Sequence, residues 1–243
     1  MVIFDFDTRV LFGNLNEMQF GSVKNILRGL ALAIVMSIGI GLPDRASYAG
    51  LLEDEMSMDA TPIDIELAGA RYRIPRNYLY NMDDWNGGAQ KNVSIRVVYP
   101  GFKPFGPGTK DCMLKLNGGH CRIYDVYVTE NLAVSEIGFN NFKRLFREPY
   151  PKNGPYGFQL FEIGPDNSRI EFYRKNIGGM SIVFDCSLDK SYADDAICHH
   201  VARTESGATI SYFFVRSEGL GDAVEVDLGL RALIDSFYTG KVR

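Results

Sequence analysis

The sequence predicts an α+β fold in which an antiparallel β-sheet of about eight strands packs against a C-terminal helix. Short segments that alternate apolar and polar residues recur along the chain, and this is the period of a half-buried strand. Turn sequences rich in Gly, Asn and Asp separate these segments. One segment near the C-terminus repeats its apolar residues with helical spacing, and there is no alternation of strands and helices of the βαβ kind.

The N-terminal part of the chain has the features of a secretory signal. Lys24 and Arg28 precede an apolar or small run of 14 residues at 29–42, and Ser47-Tyr48-Ala49 then places small side chains before Gly50. These are the parts of a cleavable signal peptide. A transmembrane helix needs about 20 apolar residues. Cleavage is therefore favoured over an uncleaved anchor and over a buried core helix.

The signal divides the chain into an N-terminal extension with the signal peptide, residues 1–49, and a single β-rich exported domain, residues 50–243. We predict a periplasmic or secreted protein, with an inner-membrane anchor through residues 29–42 as the alternative. Met18 is a second possible start, because the residues after it are basic whereas residues 1–17 are acidic and apolar.

Charge and hydropathy limit the partners of residues 50–243. These residues carry 22 Lys and Arg against 26 Asp and Glu, a net charge of −4. Because binding to phosphates needs a basic surface, nucleic acid is not an expected partner. No apolar run of membrane length follows residue 42, so we expect no stable membrane insertion after signal cleavage.

An even number of cysteines in an exported chain predicts two disulfide bonds. The four cysteines are Cys112, Cys121, Cys186 and Cys198. Three connectivities are possible, and pairing of sequence neighbours is favoured because a short loop costs less entropy to close. A hairpin that turns at Asn117-Gly118 would set Cys121 opposite Leu114 rather than opposite the first cysteine. That bridge would then need a bulge, a longer loop or a different partner.

The first strands follow from alternation and turn chemistry. Thr61–Ile74 alternates and turns at Ala68-Gly69, which predicts a hairpin. Asn92–Tyr99 alternates β-branched residues with polar ones and predicts a strand. Cys112–Leu116 and Cys121–Thr129 flank a Gly-rich turn and predict a second hairpin.

The second half of the domain continues with a helix and more strands. Ser135–Arg147 places its apolar residues roughly on one face, which predicts a short amphipathic helix. The following strands are predicted at 156–163, 168–175, 180–186, 199–204 and 208–216. In the last strand, Tyr212 alternates with Ser211 and Phe213, so one face of it should be buried.

The strongest helix signal closes the chain. Asp222 is a candidate N-cap with Glu225 three residues on, as in a capping box. The apolar stripe that follows consists of Val226, Leu230, Leu233, Ile234 and Phe237. Gly240 stands where a left-handed C-terminal residue is expected. We expect the stripe to pack on one face of the sheet.

Several polar side chains invite a catalytic or metal-binding interpretation. They are His120, His199 and His200, each beside a cysteine or another histidine, and the pairs Asp83-Asp84 and Asp194-Asp195. Oxidised cysteines cannot bind a metal, and the spacings match no zinc or calcium motif. No Gly-x-Ser-x-Gly nucleophile elbow is present in the sequence. We therefore predict no catalytic residue, no metal site and no cofactor.

A proline-rich and glycine-rich stretch is the best candidate for a protein-binding surface. Tyr99, Phe102 and Phe105 line this stretch, and the single tryptophan, Trp85, lies in the preceding connection. Rigid segments with exposed aromatic residues suit protein contacts, because little entropy is lost on binding. The alternative is that these aromatic side chains pack back under the loop as a satellite core.

Two segments carry a resemblance to a known class of proteins. These are YRIPRNYL at Tyr72–Leu79 and VDLGLRALIDSF at Val226–Phe237, set among antiparallel strands with a cysteine pair behind a signal peptide. In layout, over most of the exported domain, the chain resembles periplasmic immunity proteins of type VI secretion systems. This resemblance implies a non-catalytic protein that binds and blocks a toxic effector. It has no diagnostic motif, and it assigns a role to no residue.

Three hypotheses of function follow. The first is an exported binding or inhibitor protein whose partner is another protein. The second is a secreted hydrolase or metal-dependent enzyme, which would require the acidic residues and histidines to converge in one pocket. The third is a structural protein of the cell envelope.

Overall fold

The computed structural model describes residues 56–114, 121–130, 132–145, 150–163, 169–187 and 195–242. The predicted signal peptide, its cut site and the alternative start at Met18 lie outside these ranges. Within them, no helix is both long enough and apolar enough to cross a membrane.

Eight strands of the described chain form one large antiparallel sheet, as the sequence predicts. They are β4 (Asn92–Tyr99), β5 (Arg122–Thr129), β6 (Lys152–Asn153), β7 (Gln159–Ile163), β8 (Ile170–Ile177), β9 (Met180–Ser187), β10 (Ile197–Arg203) and β11 (Thr209–Val215). Their order across the sheet is β4-β5-β11-β10-β9-β8-β7-β6, and every neighbouring pair is antiparallel. From β7 to β11 each strand pairs with the one before it, because tight connections favour antiparallel neighbours.

A second sheet of four strands, which the sequence did not predict as separate, lies beside the large one. Its strands are β1 (Pro62–Leu67), β2 (Ala70–Pro75), β3 (Gly88–Ala89) and β12 (Tyr238–Lys241), in the order β12-β2-β1-β3. The expected β1–β2 hairpin is present, and its turn residues Ala68 and Gly69 have positive φ angles of 55° and 71°. Both values suit the two-residue turns that match strand twist.

The helices are α1 (Lys110–Met113), α2 (Ser135–Leu145), α3 (Arg216–Gly219) and α4 (Ala223–Ser236). Single turns of 3₁₀-helix occur at Arg76–Tyr78, Met82–Asn86 and Pro155–Gly157. The C-terminal helix α4 packs on one face of the large sheet, because Val226, Leu230 and Ile234 are at most 1% exposed and share a core cluster with both sheets. Burial of one such side chain is worth about 1.5–3 kcal/mol.

The two ends of α4 differ from the sequence prediction. Asp222 is the N-cap residue, but its side chain makes no capping hydrogen bond and accepts one from Arg122 at 2.5 Å instead. The helix ends at Ser236, and Gly240 lies inside β12 rather than at a helix C-terminus. Arg122 on β5 therefore binds the Asp222 side chain in place of the helix N-terminus. Pairing with β2 places Gly240 in a strand rather than at the end of the helix.

Helix α2 covers part of the opposite face of the large sheet. Phe139 is fully buried, with its ring centroid 4.7 Å from that of Phe161 and 5.4 Å from that of Phe172. Ile137, by contrast, is 53% exposed. The helix is therefore present as predicted, with a narrower buried stripe than expected.

Both disulfides join sequence neighbours, as favoured, although the predicted hairpin around the first is wrong. Cys112 lies in the short helix α1, and β5 pairs with β4 instead. The Cys112–Cys121 bond therefore ties α1 to the start of β5, with the Cα atoms 5.9 Å apart. Cys186 and Cys198 are directly opposite each other on β9 and β10 and form a cross-strand disulfide.

Candidate partner-binding face

The face of the large sheet that α4 does not cover is itself covered at two places. Helix α2 packs over β7, β8 and β9. At the other side, Phe105, Met113 and Leu114 pack over Val98 of β4 and Ile123 of β5. Between these two covers, β5, β11 and β10 present side chains to solvent.

We call the exposed part of this face the open strip, and it consists of Tyr127, Ile197, His199, Phe213 and Val215. Tyr127, Ile197 and Phe213 are each 46% exposed, and Val215 is 38% exposed. His199 pairs with Phe213 and Ile197 pairs with Val215 across the β10–β11 ladder. Apolar side chains on neighbouring strands thus form a contiguous patch, which on a folded protein marks an interaction surface.

Strand alternation explains why adjacent residues of β10 and β11 differ in their exposure to solvent. His200 and Tyr212, next to His199 and Phe213 in the chain, point to the other face and are at most 2% exposed. The rings of His199 and Phe213 stack, with centroids 4.5 Å apart and an angle of 21° between the planes. This stacking holds both side chains in a defined arrangement at the centre of the open strip.

A polar relay lies along one side of the open strip. His199 Nε2 is 2.9 Å from the Ser211 hydroxyl, and its Nδ1 is 3.6 Å from Asp185 Oδ2. The Ser135 hydroxyl at the start of α2 donates to Asp185 Oδ1 at 3.4 Å and accepts a hydrogen bond from the Val201 N–H. Asp185 is thus tied to both the strip and α2.

A buried ionic cluster joins the helix α4 to the inner face of the sheet. Asp227 is fully buried, with Oδ1 3.0 Å from His200 Nε2 and Oδ2 2.7 Å from Arg231. His200 Nδ1 lies 2.6 Å from the carbonyl oxygen of Val183. Burial alone would raise the pKa of Asp227, but the interactions with His200 and Arg231 outweigh it and hold that pKa below its usual value.

A second cluster surrounds Glu171, which is 3% exposed. Its carboxylate accepts hydrogen bonds of 2.6 Å from Tyr173 and from Arg216, and one of 3.1 Å from Arg169. Burial and the neighbouring Glu171 raise the pKa of Tyr173 to about 12. The buried carboxylate is therefore fully paired, which is the arrangement expected of a structural charge.

The acidic and histidine candidates from the sequence do not converge in the described chain. Asp84 is 4% exposed and accepts a hydrogen bond of 2.9 Å from the backbone N–H of Ser94 on edge strand β4. Asp195 pairs instead with Arg216 and the Ser217 N–H. His199 and His200 lie on opposite faces of the sheet, whereas His120 and Asp194 are outside the described residues.

The aromatic residues predicted to bind a partner lie mostly inward. Phe105 is 2% exposed and Tyr99 is 8% exposed. Phe102 is partly buried against α4 and lies over Gly229, while Trp85 donates to the Leu79 carbonyl oxygen at 3.5 Å. Tyr99 and Phe105 would be accessible to a partner only if the segment that follows β4 changed its conformation. Partner binding by these four aromatic residues stays a prediction.

Sequence reasoning missed the open strip as a candidate site, although part of the signal was present. Alternation in β11 sets Phe213 opposite to Tyr212, and alternation in β5 sets Tyr127 opposite to Val126. A large aromatic residue at a position expected to face solvent is the feature that could have identified this surface. Alternation does not predict, however, which part of the sheet other segments cover.

A polar recess of about 340 Å³ opens where hairpin turns of the two sheets approach each other. It is lined by Ala68, Gly69, Glu130, Arg203 and Gly207. Glu130 accepts a hydrogen bond of 3.1 Å from the Ala68 N–H, which joins the end of β5 to the β1–β2 turn. The residues that line the recess thus connect the two sheets.

Comparison with known proteins gives one fold similarity. No protein-family model matches the chain, and no curated protein sequence matches it. Among solved structures, the chain is similar to Smlt3025, an immunity protein of the Stenotrophomonas maltophilia type IV secretion system, with a TM-score of 0.54 and 15% identity. The match covers 74% of this chain and 94% of that one. At this identity the similarity shows that the two chains share a fold.

Proposed function

We propose that this chain is an exported binding protein that neutralises a secretion-system toxin, and so acts as an immunity protein without catalytic activity. The observation that carries the proposal is the open strip, an exposed apolar surface on a fold shared with an immunity protein. Two disulfides support an oxidising compartment such as the periplasm, because disulfides persist outside the cytosol.

The kind of secretion system is a finer part of this proposal. The layout of the sequence resembles immunity proteins of type VI systems, whereas the similar solved structure is described for a type IV system. Both descriptions name a protein that is associated with a secretion system. We therefore propose a protein toxin as the partner and keep type VI as the specific prediction.

A growth assay tests the proposal. Each gene that adjoins the gene for this chain is expressed in a bacterial host with its product directed to the periplasm, and every product that stops growth is tested with and without the full-length chain. We expect the full-length chain to restore growth and a version that starts at residue 50, and so stays in the cytosol, to fail. Toxicity that persists in the presence of the exported chain would contradict the proposal.

A second candidate function, serine-dependent hydrolysis, is favoured by one observation. Ser211, His199 and Asp185 stand in the order of nucleophile, base and orienting acid, at 2.9 and 3.6 Å. In that role His199 would accept the hydroxyl proton and Asp185 would orient the imidazole ring. Ser211 is only 5% exposed and lies in mid-strand, so binding is the better-supported function.

A fluorophosphonate probe decides between the two functions. Serine hydrolases form a covalent adduct with this probe at the nucleophile. We expect the native chain to show no adduct by intact mass, in agreement with a binding role. An adduct that is lost in the Ser211→Ala variant would establish the hydrolase instead.

A further inference from the structure

We propose that the open strip receives a cationic side chain of the partner, an arginine or lysine whose aliphatic part packs on Phe213 and Ile197 and whose charged group pairs with Asp185. This inference rests on the proposed function, and it names the chemistry of the toxin surface that the chain recognises. Its support comes from exposure, from charge and from spacing.

The apolar part of the contact is rigid before binding. Phe213 and Ile197 lie on β11 and β10, which are interior strands of the large sheet, with neighbours on both sides. His199 stacks on Phe213 and bonds to Ser211, so these rings are already ordered. A preorganised surface loses little conformational entropy on binding, and more of the contact energy then appears as affinity.

The charged part of the contact is a carboxylate that lacks a strong partner. Asp185 is 36% exposed at its side chain, and within the described ranges its Oδ2 lies 3.6 Å from His199 Nδ1, with no Lys or Arg at ion-pair distance. Asp125 on the same face differs, because Arg96 binds both of its oxygens at 2.5 and 2.8 Å. Asp185 is therefore the carboxylate on this face that an incoming cation would complete.

The spacing of the strands suits one long cationic side chain. Asp185 is directly opposite His199, and His199 is directly opposite Phe213. Two strand spacings separate Asp185 from Phe213, which is about 10 Å across the sheet. An arginine that crosses His199 would lay its aliphatic part on the Phe213 ring and bring its guanidinium to the carboxylate of Asp185.

The net charge of the domain agrees with a basic partner. Residues 50–243 carry a net charge of −4. Opposite charges on two partners speed their encounter and make the association rate dependent on salt. The electrostatic part of binding should therefore weaken as salt is added, whereas the apolar part on Phe213 should not.

The test measures the affinity of the toxin that the wild-type chain neutralises in the growth assay. Phe213→Ala and Asp185→Asn are compared with wild type, and Tyr150→Ala, at a side chain that is 92% exposed and outside the strip, is the matched control. We expect the Kd to rise at least tenfold for each strip variant and less than twofold for the control. Asp185→Asn should also flatten the salt dependence of association.

A double-mutant cycle identifies the cation. Each Lys and Arg on the toxin surface is changed to Ala and combined with Asp185→Asn, and one residue should show coupling of at least threefold. Phe213→Leu repeats the apolar test with a smaller change, and thermal unfolding confirms that each variant is folded.

The outcomes separate this inference from the proposed function. If wild type binds and neutralises the toxin but the strip variants bind it equally well, the strip inference is wrong and the immunity function stands. If wild type neutralises no toxin, both fail. A dimer of this chain in solution that Phe213→Ala converts to a monomer, with toxin binding intact, would assign the strip to a second copy and would also overturn the inference.

Discussion

Asp84 binds a backbone N–H at an edge of the large sheet, and its replacement tests how much this hydrogen bond stabilises the domain. β4 is an edge strand, and the carboxylate of Asp84 accepts the Ser94 N–H at 2.9 Å while the neighbouring Ser94 carbonyl accepts from the Tyr80 N–H. Asp84→Ala removes the acceptor and leaves a buried N–H without a partner. A buried unsatisfied donor costs about 1–3 kcal/mol, so we expect the free energy of unfolding to fall by that amount.

The Asp84→Asn variant is the matched control, because its amide oxygen can still accept from Ser94. Burial, opposed by the Ser94 hydrogen bond and aided by Asp83, raises the pKa of Asp84. A raised folded-state pKa means that ionisation costs stability, and this cost appears as the pH rises through that pKa. The Asn variant should therefore lie within about 1 kcal/mol of wild type and should gain on it between acidic and neutral pH.

Urea unfolding of the three proteins at about pH 4 and about pH 7 measures both effects. The reasoning would be refuted if the Asn variant were as unstable as the Ala variant. It would also be refuted if the gap between Asn and wild type did not change with pH.

Three more predictions concern the core. Asp227→Ala should lower the free energy of unfolding by about 3–5 kcal/mol, because His200 and Arg231 would lose their buried partner. Since the pKa of Asp227 is lowered, wild type should lose this stabilisation as the pH falls through that pKa, which thermal unfolding between neutral and acidic pH measures. Gly229→Ala should cost about 1–3 kcal/mol, because the new Cβ would lie 2.1 Å from Phe102. Gly138→Ala in α2 has no atom near its Cβ and should stabilise the domain by about 0.5–1 kcal/mol. Equal melting temperatures of the two variants would contradict this reasoning. Replacing both cysteines of the β9–β10 disulfide by serine should cost about 2–4 kcal/mol in urea unfolding, and an unchanged midpoint would show that the bond contributes nothing.

Local patterns in the sequence determined the strands and the main helix. Period-two alternation specifies which face a residue takes, because successive side chains of a strand point to opposite sides. This sufficed to set Tyr212 on the opposite face of its strand from Ser211 and Phe213. The pairing of the cysteines followed from another local property, the lower entropy cost of closing a short loop. The 3.6-residue period of a helix likewise predicted the buried stripe of α4, since it sets one face of the helix.

The structure decided what covers each face. The chain divides its strands between two sheets, and Tyr238–Lys241 joins the smaller one by pairing with β2, although no local pattern in these four residues predicts that pairing. The buried carboxylates of Asp227 and Glu171 likewise depend on His200 and Arg216, which are distant from them in the sequence. Such contacts are long-range, and a period read over a few residues holds no information about them.

The candidate site shows the same division. The sequence by itself determined that Phe213 faces away from Tyr212, because alternation is a local property of the backbone. The pairing register of β10 and β11 then set His199 beside Phe213. Only the tertiary structure decided that this face stays open between α2 and the Phe105 segment, while Phe105 itself is buried. Whether a side chain is exposed depends on which distant segments pack over it, and that is settled by the packing of the whole domain.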